Sequence, residues 1–239
     1  EEIERALKTA GISGFQLLDL HDFPGQGTAL VGLLDAFWDS KGVITAERFR
    51  NFCSPVTPLL RFAKAAYTND EHFLAEIEVS NYGEKALPGQ VVGWSVADGG
   101  TVLAEGTLPS RELAVGYNAA LGGIDVPLAG VETAKALTVR VKLDGTPYEN
   151  SWSIWVYPAG IGPQFGEVVY TRDFGEARRR VAEGRKVLFN PDWRKLKGVE
   201  GKFVPVFWSP VHFPAQAGSM GVLCDPDHPV FAAFPTAMH

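Results

Sequence analysis

Phe73-Leu74-Ala75-Glu76-Ile77-Glu78-Val79-Ser80 alternates without a break between an apolar set (Phe73, Ala75, Ile77, Val79) and a largely polar one (Leu74, Glu76, Glu78, Ser80). Successive strand side chains point to opposite faces, so a period of two marks a half-buried strand. The same period runs through Val92, Trp94 and Val96, through Leu137, Val139, Val141 and Leu143, and through Trp152, Ile154 and Val156. Turn signals separate these runs: Asn81-Tyr82-Gly83, Asp98-Gly99-Gly100, Leu121-Gly122-Gly123 and Asp144-Gly145. Short strands with glycine-rich turns and no convincing helix predict an immunoglobulin-like β-sandwich over residues 63–158. Cys53 and Cys224 are the only cysteines and lie in different segments, so no disulfide framework is implied and Trp94 and Trp152 are assigned to the core.

Toward the amino end, residues 1–62 alternate helix and strand signals. Ile3, Ala6, Leu7 and Ala10 fall at helical spacing behind Glu1, Glu2 and Glu4, whose charge suits a helix N-terminus. Phe15 to Leu20 is a nearly continuous apolar run, the pattern of a strand covered on both faces. It runs into a polar, glycine-rich loop from Asp22 to Thr28, and an apolar stretch from Ala29 to Trp38 follows. Thr45 is placed to cap a helix over Ala46 to Phe52, and Pro55 and Pro58 close the segment. This is the rhythm of the final unit of a (β/α)8 barrel. One helix and one strand cannot supply the rest of a barrel, so the chain reads as the tail of a larger enzyme.

Toward the carboxyl end the signals return to α/β. Glu167 to Thr171 reads as a strand, and Asp173 with Glu176 three residues on has capping-box spacing. The helix that follows turns Ala177 and Val181 inward, stops at Gly184 and leads to a strand from Lys186 to Asn190. Phe203 to Trp208 and Met220 to Cys224 read as two more strands, and Asp227 to Phe234 as a short helix. The predicted fold class is thus multi-domain, α/β plus all-β: a barrel remnant over residues 1–62, the sandwich, and a partial α/β domain over 159–239.

At 239 residues, 46% hydrophobic and 21% charged, the chain can bury a core. A net charge of −6 without a basic stripe excludes nucleic acid as a partner, and no apolar run reaches the roughly 18 residues of a bilayer span. No CxxC or other metal spacing and no phosphate-cradling glycine frame stands out, so neither metal nor cofactor is expected.

The candidate chemistry lies where the apolar run meets the loop. Strand alternation would put Asp19 and His21 on one face and Gln16 and Asp22 on the other. Such a cluster could cap the loop, contact a sugar, or hold part of a metal or catalytic set, although no third ligand is evident. Trp38 could stack on a pyranose face or pack in a core. Hydrolysis of a glycosidic bond needs two carboxylates facing each other across it, and Asp19 and Asp22 fall on opposite faces. Gly218-Ser219-Met220-Gly221 lacks the GxSxG spacing of a nucleophile elbow. No residue of this chain is therefore assigned a catalytic role.

The run from Gly14-Phe15-Gln16-Leu17-Leu18-Asp19-Leu20-His21-Asp22-Phe23-Pro24-Gly25-Gln26-Gly27 to Trp38 resembles the end of the catalytic barrel in bacterial, β-galactosidase-like enzymes of glycoside hydrolase family 2. Phe49-Arg50-Asn51-Phe52-Cys53-Ser54-Pro55 resembles their barrel exit, and Phe207-Trp208-Ser209-Pro210 and Gly218 to Pro226 their carboxyl-terminal region. The resemblance implies a retaining glycosidase whose acid/base and nucleophile glutamates precede Glu1. This chain would then be a scaffold and cleft rim, with Gln16, Asp19, His21, Asp22 and Trp38 lining a carbohydrate subsite. It also implies a periplasmic or extracellular parent. Gln16 and Leu17 stand where that family usually has a Trp, a departure that bears on galactoside preference. The competing reading is a self-standing carbohydrate-binding or protein-interaction module.

Overall fold

The computed structural model of the chain describes residues 2–25, 31–197 and 224–237. Helix α1 (Glu2–Leu7) and helix α2 (Ala46–Phe52) precede eight strands: β1 (Val56–Phe62), β2 (Ala66–Thr68), β3 (His72–Asn81), β4 (Leu87–Asp98), β5 (Thr101–Leu113), β6 (Tyr117–Pro127), β7 (Lys135–Leu143) and β8 (Glu149–Tyr157). They form a three-stranded sheet in the order β1-β3-β6 and a five-stranded sheet in the order β2-β8-β7-β4-β5. Every pairing is antiparallel except β2 with β8.

One apolar cluster joins the two sheets. Phe73, Ile77 and Val79 from β3 and Leu60 from β1 share it with Val92 and Val96 of β4, Val139 and Val141 of β7, and Ile154 and Val156 of β8. Apart from Leu60, whose strand the sequence reading did not expect, these are the residues that the period of two turns inward. The burial pattern of β3 follows the alternation from Phe73 to Val79, but Ser80, expected on the outer face, is buried. Trp94 and Trp152 are half-buried and pack against the cluster's margin.

Two details depart from the sequence reading. Leu121-Gly122-Gly123 is not a turn but lies inside β6, where Ile77 pairs with Gly122 and Glu78 with Ala120. The skipped Leu121 is a β-bulge residue and turns into the core. Pro58 sits within strand β1 rather than ending a segment, tolerated because β1 is the edge of its sheet, where a missing donor breaks no second ladder.

The expected α/β class with a barrel remnant is overturned. Strand makes up 40% of the described residues and helix 14%, and no barrel is present among them. Phe15 to Leu20 forms no strand at all; only an isolated bridge joins His21 to Leu34. The physical reason lies at Asp19, whose φ of 64° breaks the extended path, and in exposure: Leu18 is 82% accessible where a barrel strand would bury it. A short apolar run cannot by itself be told from an exposed irregular segment.

Residues 160–222 form a second compact unit. There, β9 (Val169–Thr171) and β10 (Val187–Phe189) pair in parallel across helix α3 (Phe174–Ala182). Asp173 caps α3, its Oδ1 accepting from the Glu176 amide at 2.6 Å. Ala177 is buried as predicted, but Val181 faces solvent. The strand expected over 203–208 lies outside the described residues, as does all of the one expected over Met220 to Cys224 except Cys224, which is in no strand. The helix expected over 227–234 is a single 3-10 turn, Pro229–Phe231, and belongs with the sandwich unit.

Candidate functional site

The loop between Leu20 and Lys41 is built around one carboxylate. Asp22 is buried, and its Oδ1 accepts from the Gly32 amide at 2.9 Å and from Lys41 Nζ at 2.7 Å. The Lys41 hydrogen bond holds its carboxyl below the usual aspartate range. Around this pair the backbone closes a small ladder. The Asp22 amide donates to the Leu34 carbonyl at 3.0 Å, and the Leu34 amide to the Leu20 carbonyl at 3.1 Å. Gly32 passes so close that an added Cβ would stand 2.3 Å from the His21 carbonyl carbon and 2.4 Å from the Asp22 nitrogen. Only glycine fits there.

A second device places Trp38. Asp35 closes a tight turn on itself: its Oδ1 accepts from the amides of Phe37 (2.8 Å) and Asp39 (2.9 Å). The Trp38 amide donates to the Asp35 carbonyl at 3.1 Å. Trp38 is held at φ 72°, a left-handed conformation that non-glycine residues avoid at a cost of order 1–3 kcal/mol. The residue is 61% exposed, and its ring rests on the His21 imidazole, with centroids 4.4 Å apart and planes tilted by 39°. His21 Nδ1 lies 2.6 Å from the Asp22 carbonyl, which can only accept. Nδ1 therefore carries the hydrogen, and in the neutral ring Nε2 remains an acceptor.

The five sequence candidates thus divide. His21, Asp22 and Trp38 meet, although the two rings stand 17 positions apart in the chain. Gln16 is exposed and Asp19 half-buried, and no hydrogen bond links either to the other three. Gln26 lies outside the described residues. Asp22 is engaged as the loop's internal anchor, so the exposed chemistry is an aromatic face beside an imidazole acceptor. Sequence reading missed Gly32, Asp35 and Lys41, the residues that shape the loop. Asp35 carried a usable signal, since Asp commonly binds backbone amides two residues on; Lys41, 19 residues from its partner, carried none. Among the described residues no three His, Cys, Asp or Glu side chains are grouped to hold a metal, and no helix is long and apolar enough to cross a membrane.

Two family models match the chain, both described as domains of unknown function: DUF8488 over residues 71–158 and DUF8487 over residues 169–239. No curated protein matches it. Among solved structures, the CARDB domain of a Pyrococcus furiosus protein, crystallised with di-metal ions, is similar at 13% identity and a TM-score of 0.33, covering 43% of this chain and 93% of that one. The sporulation control protein Spo0M of Bacillus subtilis is similar at 14% identity and a TM-score of 0.33, with coverage of 44% and 50%. A family 123 glycoside hydrolase from Clostridium perfringens gives 6% identity, a TM-score of 0.32, and coverage of 52% and 32%. Likenesses of this size carry no functional argument.

Proposed function

We propose that this chain is a non-catalytic, carboxyl-terminal portion of a retaining glycoside hydrolase, in which residues 14–25 and 31–45 form a wall of the sugar cleft and the sandwich braces it. The observation that carries the reading is the Trp38 platform: an exposed indole, held in a costly backbone conformation by a dedicated Asp35 turn, beside an imidazole acceptor. Strain retained at an exposed aromatic residue points to a contact made by that residue. A pyranose presents C–H groups to such a face and hydroxyls to the acceptor at its side.

Two further features support it. Phe15, Leu17, Leu18, Leu20, Phe23, Val31, Phe37, Trp38 and Val43 are all exposed within one short segment of little regular structure. An apolar surface of that density is suited to being covered by another body of protein. The run from Gly14 to Trp38 also resembles a stretch of sequence in β-galactosidase-like enzymes, although it does not form the barrel strand that the resemblance implied. The alternative, a self-standing carbohydrate-binding or protein-interaction module, rests on the same exposed Trp38. The test is Trp38→Ala in the protein encoded together with its upstream sequence. A rise in KM for aryl glycosides with kcat nearly kept supports a cleft-wall role; unchanged KM removes it.

A further inference from the structure

A cleft of about 660 Å³ lies between α1, α2 and the β1 and β8 strands of the sandwich. None of the residues His21, Asp22 and Trp38 lines it, and its lining is chemically distinctive. Five cations, Arg5, Lys8, Arg48, Arg61 and Lys64, face it together with a single carboxylate, Glu4. Glu4 is already engaged, accepting from Trp152 Nε1 at 3.1 Å and Asn150 Nδ2 at 2.6 Å and pairing with Lys8 at 3.9 Å. Arg61 and Lys64 are each paired with one carboxylate outside the cleft, Glu78 at 2.6 Å and Glu71 at 2.5 Å. Arg48 is different. Its guanidinium donates to Ser151 Oγ and to the Ser151 carbonyl, both at 2.8 Å and both neutral, and no described carboxylate forms an ion pair with it.

Two more observations point the same way. Trp155 lines the cleft with a buried indole Nε1–H that has no acceptor, and a buried donor left without a partner is costly. The Lys8 ammonium is pushed below the usual lysine range, first by burial and then by Arg61 and Arg5, against the pull of Glu4 and Glu78. A guanidinium bound only to neutral groups, an unpartnered donor, two indoles and the Ser151 and Ser153 hydroxyls together describe an acceptor-rich, negatively charged ligand with a ring to pack. The volume falls within the range of small-ligand sites.

We infer that this cleft binds an acidic oligosaccharide, its carboxylate or sulfate group seated among Arg48, Lys64 and the Trp155 N–H. The inference names a substrate class for the carbohydrate reading above and rests on that reading for the saccharide, while the anionic character rests on the cleft alone.

Titration calorimetry with a sulfated oligosaccharide, an oligogalacturonate and a neutral oligogalactoside of matched length tests it. Binding of one or both acidic sugars, weakening as salt rises, is expected, with the neutral sugar bound at least about tenfold more weakly; which acidic sugar binds separates sulfate from carboxylate. Lys64→Gln and Trp155→Phe should each weaken that binding several-fold while thermal melting stays that of the parent, so neither result depends on Arg48, whose removal would also loosen α2. Trp38→Ala should leave it unchanged, which keeps a failure of the cleft-wall reading separable from a failure here. Equal binding of the neutral sugar, no binding of either acidic one, or indifference to Lys64→Gln overturns the inference.

Discussion

Replacing Gly32 by Ala puts the account of the loop to a sharp test. The new Cβ would stand 2.3 Å from the His21 carbonyl carbon, about 1.1 Å inside the 3.4 Å at which ordinary contact begins. Both offending neighbours are backbone atoms, so no side chain can rotate away. The ladder of Leu20, Asp22 and Leu34 must open, and the Gly32 amide must leave Asp22. Overpacking of this kind costs about 1–3 kcal/mol. If the loop opens locally, protection of the Asp22 and Leu34 amides against hydrogen exchange falls by roughly 5- to 150-fold, at about 1.4 kcal/mol for each factor of ten. The sandwich amides of β3 and β7 should keep their protection, because the change touches no residue of that core. Gly130→Ala, with nothing within 4 Å of the added Cβ, is the control and should be silent. Unchanged protection at Asp22 and Leu34 in the Gly32 variant would show that the close approach is not what shapes the loop.

Three further outcomes are expected. The folded-state carboxyl of Asp22 is depressed, so its contribution to loop stability is fully present above about pH 4 and is lost as pH falls through the folded value. Exchange protection at Leu34 should therefore survive to lower pH in the parent than in Lys41→Met, and coincident acid profiles would sink this. Phe73→Ala removes a fully buried ring that meets Tyr67 edge-on at 5.8 Å and Phe62 at 5.9 Å. It should cost about 3–5 kcal/mol, read as a drop of at least about 1 M in the urea midpoint; a shift too small to resolve would deny Phe73 its central place. Asp173→Ala should destabilise α3 by about 0.5–2 kcal/mol, seen as faster exchange at the Glu176 amide, and an unaltered rate there would refute the cap.

The sandwich was legible in the sequence because its signal is physical and local. A strand with one face in a core must alternate, and Phe73 to Val79, Val92 to Val96 and Leu137 to Leu143 do so. The Thr45 and Asp173 caps were legible for the same reason, since the bonds they make reach only three residues on. The segment from Phe15 to Leu20 misled because hydrophobicity records what a surface avoids, not which shape it takes; there, Asp19 leaves the extended path and the apolar side chains remain outside. Gly122-Gly123 misled because the same residues serve turns and bulges, and only the partner strand decides between them. Of the candidate site, His21, Asp22 and Trp38 were found individually, but their meeting depends on the Asp35 turn and on Gly32 and Lys41, which reach Asp22 across 10 and 19 residues. The basic cleft was not legible at all, since it draws on α1, α2, β1 and β8, which only the fold brings side by side.

The central claim, that this chain is a wall and brace without catalytic carboxylates of its own, meets its most direct test in a single comparison of turnover. Aryl glycosides are offered to the purified 239-residue chain and to the longer protein encoded with its upstream sequence. The account predicts no hydrolysis above the buffer rate by the chain and ready hydrolysis with retention of anomeric configuration by the longer protein. Turnover by the chain itself, or its absence from both, would contradict it.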